Sequence, residues 1–307
     1  MDEWPKTALD FERRFGTEEA CVQYLEQLRW PSGFRCPRCG GDKAWKAARG
    51  LHVCRLCGHQ TSVTSGTIFQ DTRKPLRMWF WVIWHLVAQK YGISALEVQR
   101  ALGLGSYNTA WTWLQKLRRA MVRPGRDRLS GTVEIDESYV GGPRPGKRGR
   151  GALGKTLVLI AVEDKGNRIG RIRLRRIADA SALSITPAVE ENVEPGSVMR
   201  TDDWKGYGPL VSKGYGRNIV RRSNETGENL LPLVNRVASL LKRWLLGTHQ
   251  GAVRPSHLDF YLDEYTFRFN RRTSASRGKL FYRLLEQAVV IKPTRGADLK
   301  GGAAALE

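Results

Sequence analysis

Acidic residues are scarce in this sequence. Its 307 residues contain 30 Asp and Glu against 51 Lys and Arg, which gives a formal net charge of +21 at pH 7. A small acidic substrate does not require so much positive charge, whereas a polyanion is attracted by it. Nucleic acid is therefore the first partner to consider, and we expect no small-molecule substrate.

Long apolar runs are also missing. A membrane-spanning helix needs about 20 apolar residues, and the best candidate, residues 78–88 (MWFWVIWHLVA), is shorter and contains His85. The first ten residues, MDEWPKTALD, carry no apolar signal core. The sequence therefore predicts no membrane partner, and we expect a cytoplasmic, nucleoid-associated protein.

Cysteines are few, and four of the five form two pairs. Cys36-x-x-Cys39 and Cys54-x-x-Cys57 are separated by residues 40–53. Each pair fits a tight knuckle followed by Gly, and four thiolates close a tetrahedral zinc shell with no open position. The pattern therefore predicts one structural zinc ion. Cys21 stands apart on an apolar helical pattern, which predicts a small core residue.

The periodicity of the chain changes from helical to strand-like near residue 130. Residues 76–122 predict three short helices with a Gly turn, which is typical either of a helix-turn-helix or of an ordinary helical packing unit. Beyond them we predict three consecutive strands, a helix, a strand, a helix, a strand and then helices. The predicted α+β multidomain chain has an N-terminal helix and zinc ribbon (1–65), a helix-turn-helix domain (66–128), a catalytic α/β domain (129–290) and a disordered tail (291–307).

Basic and polar side chains recur along the third of these helices, in a basic loop and on a later helix. Such side chains reach base edges and phosphates when a helix enters a groove of DNA, although a solvated helix face has the same pattern. The predicted DNA-binding residues are Ser106, Tyr107, Asn108, Lys116, Arg118 and Arg119, then Arg144, Lys147, Arg148 and Arg150 in the loop, and Lys242 and Arg243 on the later helix.

Three carboxylates occupy notable positions in the second half. Asp136 and Asp202 lie toward the ends of two predicted strands, and Glu264 lies on a predicted helix. Arg271 follows Glu264 by seven residues, two helical turns on the same face. Phosphodiester chemistry commonly uses two divalent metal ions, for which carboxylates are suitable ligands. The three acids are thus candidate ligands for two Mg²⁺ or Mn²⁺ ions, although each alone is more often a solvated cap or an ion-pair partner than a ligand.

Longer motifs carry a resemblance to a known family. The segments VEIDESYVGG, TDDWKGY, LLKRWLLGTHQG and HLDFYLDEYTFRFNRR, together with the ribbon and the SGTIF segment, are similar to bacterial insertion-sequence transposases of the IS fifteen-ninety-five (ISXO-like) type. The resemblance covers roughly residues 15–285. It implies a ribonuclease-H-like fold with a DDE triad, in which the first and fourth strands lie side by side. It also implies double-stranded DNA as partner and a homo-oligomer.

The resemblance also assigns roles by position. The matched residues are Asp136 and Asp202 for the two aspartates, Glu264 for the third acid and Arg271 for the basic residue after it. Asp203 stands where Gly is usual, so Asp202 and Asp203 compete as the second ligand, and strand-end geometry favours Asp202. Some relatives use Asn as the third ligand, for which Asn270 is the alternative.

The predicted function is therefore DNA transposition. The ribbon and the helix-turn-helix would bind the terminal inverted repeats, and the catalytic domain would cleave the strand and transfer it to a target with bound Mg²⁺ or Mn²⁺. Two alternatives remain at this point. One is a non-catalytic zinc-ribbon/helix-turn-helix regulator, for which residues 1–125 would suffice. The other is a nuclease on the same fold that cuts without joining.

Overall fold

The computed structural model describes residues 4–123, 125–141, 155–166, 168–221, 230–251 and 253–301. The chain divides into two compact units, the first made of Met1–Arg123 with Ser274–Glu307 and the second of Pro124–Thr273. The division after residue 123 lies close to the predicted start of the catalytic domain. The C-terminal division at residue 273 differs from the predicted boundary at residue 290.

The first unit is helical apart from one small sheet. Its elements are α1 (Ala8–Arg14), α2 (Glu18–Arg29), β1 (Ala44–Lys46), a 3-10 turn (Ala48–Gly50), β2 (His52–Cys54), β3 (Gln60–Thr61), α3 (Leu76–Ala88), α4 (Ala95–Ala101) and α5 (Tyr107–Ala120), joined after the second unit by α9 (Arg277–Val290) and α10 (Gly296–Gly301). The strands form an antiparallel sheet in the order β1-β2-β3.

Two tight turns precede and follow the central strand of this small sheet. The amide of Gly40 donates to the carbonyl of Cys36 at 2.9 Å, and that of Gly58 donates to the carbonyl of Cys54 at 3.0 Å. Both glycines have positive φ, 73° and 68°, a conformation that is strained for other residues. The predicted Gly after each cysteine pair is therefore a geometric requirement of the turn.

The C-terminal helix α9 supplies the central aromatic residue of the first unit's core. Phe281 is fully buried and lies within ring-contact distance of Phe11, Phe15, Tyr24, Phe80 and Trp84. Residues 277–290 were predicted as part of the catalytic domain (129–290). The aromatic pocket that receives Phe281 is assembled from three distant helices and leaves no local pattern.

The predicted disordered tail also differs from the structure. Residues 296–301 form α10, which packs on α5 with Leu299 fully buried. Burying one leucine stabilises this short helix, and a sequence rich in Gly and Ala does not reveal it. Residues 302–307 lie outside the described part of the chain.

The second unit contains a five-stranded sheet. Its elements are β4 (Thr132–Val140), β5 (Thr156–Asp164), β6 (Ile169–Ile177), α6 (Ala182–Asn192), β7 (Val198–Thr201), a 3-10 helix (Lys205–Lys213), β8 (Gly216–Ile219), α7 (Pro232–His249), a 3-10 turn (Pro255–His257) and α8 (Leu258–Asn270). The strand order is β6-β5-β4-β7-β8. Strands β4, β5 and β6 are antiparallel neighbours, whereas β7 pairs in parallel with β4 and β8 in parallel with β7. The predicted alternation of strands and helices is confirmed.

The two faces of this sheet are covered by different helices. Val133 and Ile135 belong to the core shared with α6 and the 3-10 helix that follows β7. Because side chains alternate along a strand, Glu134 and Asp136 point to the opposite face. On that face α7 packs along β4 and β5, and α8 packs against β6. Among the described residues, no helix is both long and apolar enough to cross a membrane.

Candidate active site and metal centre

The four paired cysteines meet at one point. The Sγ atoms of Cys36 and Cys57 are 3.7 Å apart, those of Cys39 and Cys54 are 3.6 Å apart, and all four lie within 4.8 Å of one another. Tetrahedral zinc with bonds of about 2.3 Å requires sulfur atoms roughly 3.8 Å apart. The donor set therefore fits zinc. Within the part of the chain that the structure describes, no other group of three or more His, Cys, Asp or Glu ligands comes this close together.

The parallel pairing of β4 with β7 brings two of the predicted acids together. Its register sets Val133 opposite Met199 and Glu134 opposite Arg200. Continued by two residues, the same register sets Asp136 opposite Asp202, which directly follows the last residue of β7. Both side chains are half-buried. The extended register thus brings the two residues to the same level of the sheet, Asp136 within β4 and Asp202 directly after β7.

A buried tyrosine lies next to Glu137, the residue that follows Asp136. Tyr207 is fully buried, and its hydroxyl donates to the Glu137 carboxylate. Burial raises the pKa of Tyr207 well above its usual value, and the charges of Glu137, Asp136 and Asp202 raise it further. The hydroxyl therefore stays protonated and donates to Glu137.

The backbone that carries Asp202 is held by an arginine of β8. Arg217 donates to Thr201 Oγ1 at 3.2 Å, to the Asp202 carbonyl at 3.0 Å and to the Trp204 carbonyl at 2.9 Å. The Asp202 side chain in turn accepts from the amide of Trp204 at 3.1 Å. Asp203, by contrast, is 54% exposed and pairs with Arg221 at 3.1 Å. This geometry favours Asp202 over Asp203 as a candidate ligand.

The third predicted acid is not brought to this pair. Glu264 is fully buried, and its carboxylate accepts from Nε of Arg268 at 2.8 Å. Its helix, α8, packs against β6, which lies two strands, or about 10 Å, from β4 across the sheet. Among the described residues Glu264 forms no metal-ligand group with the two aspartates.

The alternative Asn270 and the basic residue Arg271 are also engaged elsewhere. The side-chain oxygen of Asn270 accepts from the amide of Ile172 at 2.7 Å, and its nitrogen donates to the Ile172 carbonyl at 3.1 Å. Asn270 thus closes the outer edge of β6. The guanidinium of Arg271 lies 4.1 Å from the ring centre of Phe267 and donates to its carbonyl. Seven-residue spacing predicted a shared helix face, but spacing does not show which strand that helix covers.

Helix α7 is the one that covers the face bearing Asp136. The carboxylate of Glu134, two residues before Asp136 on that face, accepts from the amides of Leu233 and Val234 in the first turn of α7. Asn235 comes next in this helix, beside the buried stripe formed by Val234, Val237 and Leu241. Lys242 follows Asn235 by seven residues and shares its face. Asn235 was not among the predicted site residues, although its spacing to Lys242 is visible in the sequence.

The predicted DNA-binding residues have different degrees of exposure. Ser106, Tyr107 and Asn108 are exposed at the start of α5, as are Lys242 and Arg243 on α7, whereas Lys116 and Arg119 are half-buried. Arg118 is 1% exposed, so its guanidinium is not displayed at the surface of this structure. Arg118 was predicted from the basic and polar side chains that recur along this helix, but the fold buries it. Arg144, Lys147, Arg148 and Arg150 lie outside the described residues.

Comparison with known proteins assigns both halves of the chain. The transposase zinc-ribbon domain model matches residues 16–60, and the ISXO2-like transposase domain model matches residues 128–270. Both matched regions are thus similar to domains of one transposase family. The chain is also 26% identical to an uncharacterized protein in transposable element ISH50 of Halobacterium salinarum, over 83% of this chain and 92% of that protein. The matched regions contain the four clustered cysteines, Asp136 and Asp202.

We predict that Cys54→Ser removes bound zinc and destabilises the ribbon, because structural zinc supplies much of the folding free energy of such modules. Cys21→Ala, which changes a buried cysteine outside the cluster, is the matched control. The measurement is zinc content per chain by atomic absorption, with the thermal unfolding curve. The wild type and Cys21→Ala should hold about one zinc ion per chain. Full zinc content in Cys54→Ser would contradict the four-thiolate site.

Proposed function

We propose that this protein is a DNA transposase that cleaves and joins DNA strands at the site of Asp136 and Asp202. The observation that carries the proposal is the parallel pairing of β4 with β7, which sets these two carboxylates side by side. The matches to two transposase family models support it. The strong positive charge of the chain supports DNA as the substrate.

The sheet order supports a ribonuclease-H-like fold for the second unit. Three consecutive antiparallel strands form one side, and the fourth and fifth strands are added in parallel beside the first. This is the arrangement that the family resemblance implies, with the first and fourth strands adjacent.

The acid pair is suited to hard divalent metal ions, since Mg²⁺ and Mn²⁺ prefer carboxylate and amide oxygens. Two such ions, when bound, would activate the attacking oxygen and stabilise the leaving oxygen. Asp136 and Asp202 would hold them. Water would first break the phosphodiester bond at the element end and leave a 3′-hydroxyl. That hydroxyl would then attack a target phosphodiester, from which a target 3′-oxygen departs.

The third oxygen ligand comes in this proposal from α7 and not from α8. Asn235 lies in the first turn of the helix that covers the face of Asp136, whereas Glu264 is bound to Arg268 beside β6. Lys242, on the same face as Asn235, would contact a DNA phosphate. An amide ligand instead of a carboxylate leaves the site with one negative charge fewer.

In this proposal the first unit binds the DNA. Helices α4 and α5, joined by a short turn, would form the helix-turn-helix, with Ser106, Tyr107 and Asn108 exposed where α5 begins. The ribbon presents Trp45, 48% exposed, among basic side chains. The exposed basic residues of the ribbon are Arg35, Arg38, Lys43, Lys46, Arg49 and Arg55. Because transposition joins two element ends, we expect at least a dimer.

Asp136→Asn and Asp202→Asn should each reduce metal-dependent cleavage by at least about a hundredfold, because each removes the negative charge of a ligand, worth several kcal/mol of transition-state stabilisation. Binding to DNA should be unchanged. Asp203→Asn is the matched control and should cleave like the wild type. The assay is nicking of supercoiled plasmid with Mn²⁺, alongside an electrophoretic binding assay.

Three results would change the assignment. Cleavage retained by Asp136→Asn would contradict the site. Cleavage without joined products, on a substrate carrying the element ends, would indicate a nuclease. Binding without cleavage on that same substrate would indicate a regulator.

Asn235→Ala should raise the Mn²⁺ concentration for half-maximal cleavage by about tenfold or more, the scale seen when a ligand environment is disturbed. Glu264→Gln should lower Tm through its lost ion pair with Arg268 but leave the Mn²⁺ dependence unchanged. The measurement is a Mn²⁺ titration of nicking for both variants. If Glu264→Gln raised the Mn²⁺ concentration for half-maximal cleavage and Asn235→Ala did not, Glu264 would be the third ligand.

A further inference from the structure

The first turn of α7 is capped from another element. Leu231, at the N-cap, makes no capping hydrogen bond, and Pro232 follows it at the first helical position. The amides of Leu233 and Val234 instead donate to Oε2 of Glu134 on β4, at 2.9 and 3.2 Å. A carboxylate is favourable here because the helix dipole and the unpaired amides both attract negative charge.

Glu134 is a buried charge with a full set of donors. It is 0% exposed, and its Oε1 accepts from Arg200 on the neighbouring strand β7 at 3.3 Å. Burial raises the pKa of Glu134, while the two amides and Arg200 oppose that rise. A buried ionised group costs stability when its partners are lost, so this carboxylate holds β4, β7 and α7 in one arrangement.

We propose that Glu134 is a positioning residue for the metal site: it fixes the first turn of α7 against the strand that carries Asp136. Glu134 and Asp136 share one face of β4, two residues or roughly 7 Å apart. Asn235 follows directly after Val234, whose amide Glu134 binds. The inference rests on the proposed function, in which α7 supplies the third ligand.

Glu163 offers a closely matched control. It is 1% exposed and likewise accepts from two backbone amides, those of Ser130 and Arg171, and from the Arg171 guanidinium. It pairs with Val133 in register, so it lies on the sheet face opposite α7. Glu163→Gln therefore removes a comparable buried charge without touching α7.

The experiment is calorimetric titration of the zinc-loaded full-length protein with Mn²⁺, together with Tm. Both Glu134→Gln and Glu163→Gln should lower Tm. Only Glu134→Gln should raise the Kd for Mn²⁺, by about tenfold. Asp136→Asn shows how much Mn²⁺ binding remains when the proposed site is disrupted. Should Glu134→Gln fail to fold, Glu134→Asp keeps the charge but shortens the side chain, and it should raise the Kd by a smaller factor.

Two results would overturn the positioning role. Either Glu134→Gln binds Mn²⁺ like the wild type, or both glutamine variants weaken binding equally, which would show a general loss of stability. If the wild type and Asp136→Asn bind Mn²⁺ identically, the proposed metal site itself is wrong. The two failures are therefore distinguishable.

Discussion

The parallel pairing of β4 with β7 is the interaction on which the second unit's site depends. Strand β5 follows β4 directly in the chain, but β7 reaches β4 only after the chain crosses over through α6. The register of that pairing decides whether Asp136 and Asp202 meet. A slip of one residue would turn either side chain to the other face. Three hydrogen bonds from Arg217, to Thr201, Asp202 and Trp204, hold Asp202 in place once the strands have paired.

Acids are scarce in this chain, and several of them cap helices instead of lying free at the surface. In the first unit Glu18 of α2 accepts from the amides of Leu76 and Arg77, where α3 begins after Pro75 without a capping side chain of its own. In the second unit Glu134 does the same for α7. Both contacts tie the start of a helix to a distant element. A carboxylate that caps a helix is held in place by the fold. Its position on a strand therefore does not by itself distinguish it from a candidate metal ligand.

The features that were best predicted from the sequence are those that depend on residues close together along the chain. The ribbon follows from two cysteine pairs with glycines at positive-φ turns, and the order of strands and helices follows from periodicity. The adjacency of Asp136 and Asp202 could be predicted from that order and the family resemblance. The proposed third ligand, Asn235, could not be distinguished from Glu264, because both lie on helices with a basic residue two turns later. Only packing shows that α7 covers β4 while α8 closes β6 through Asn270. The burial of Phe281 and Arg118 likewise depends on helices far apart in sequence.

The central claim is that Asp136, Asp202 and Asn235 form one metal site. The most direct measurement is a crystal structure of the full-length protein with DNA and Mn²⁺, with anomalous diffraction recorded at the manganese and zinc edges. The account predicts a manganese peak between the carboxylates of Asp136 and Asp202 with the Asn235 side chain beside it, and a zinc peak among the four cysteines. Manganese bound at Glu264 and not at this pair would contradict it.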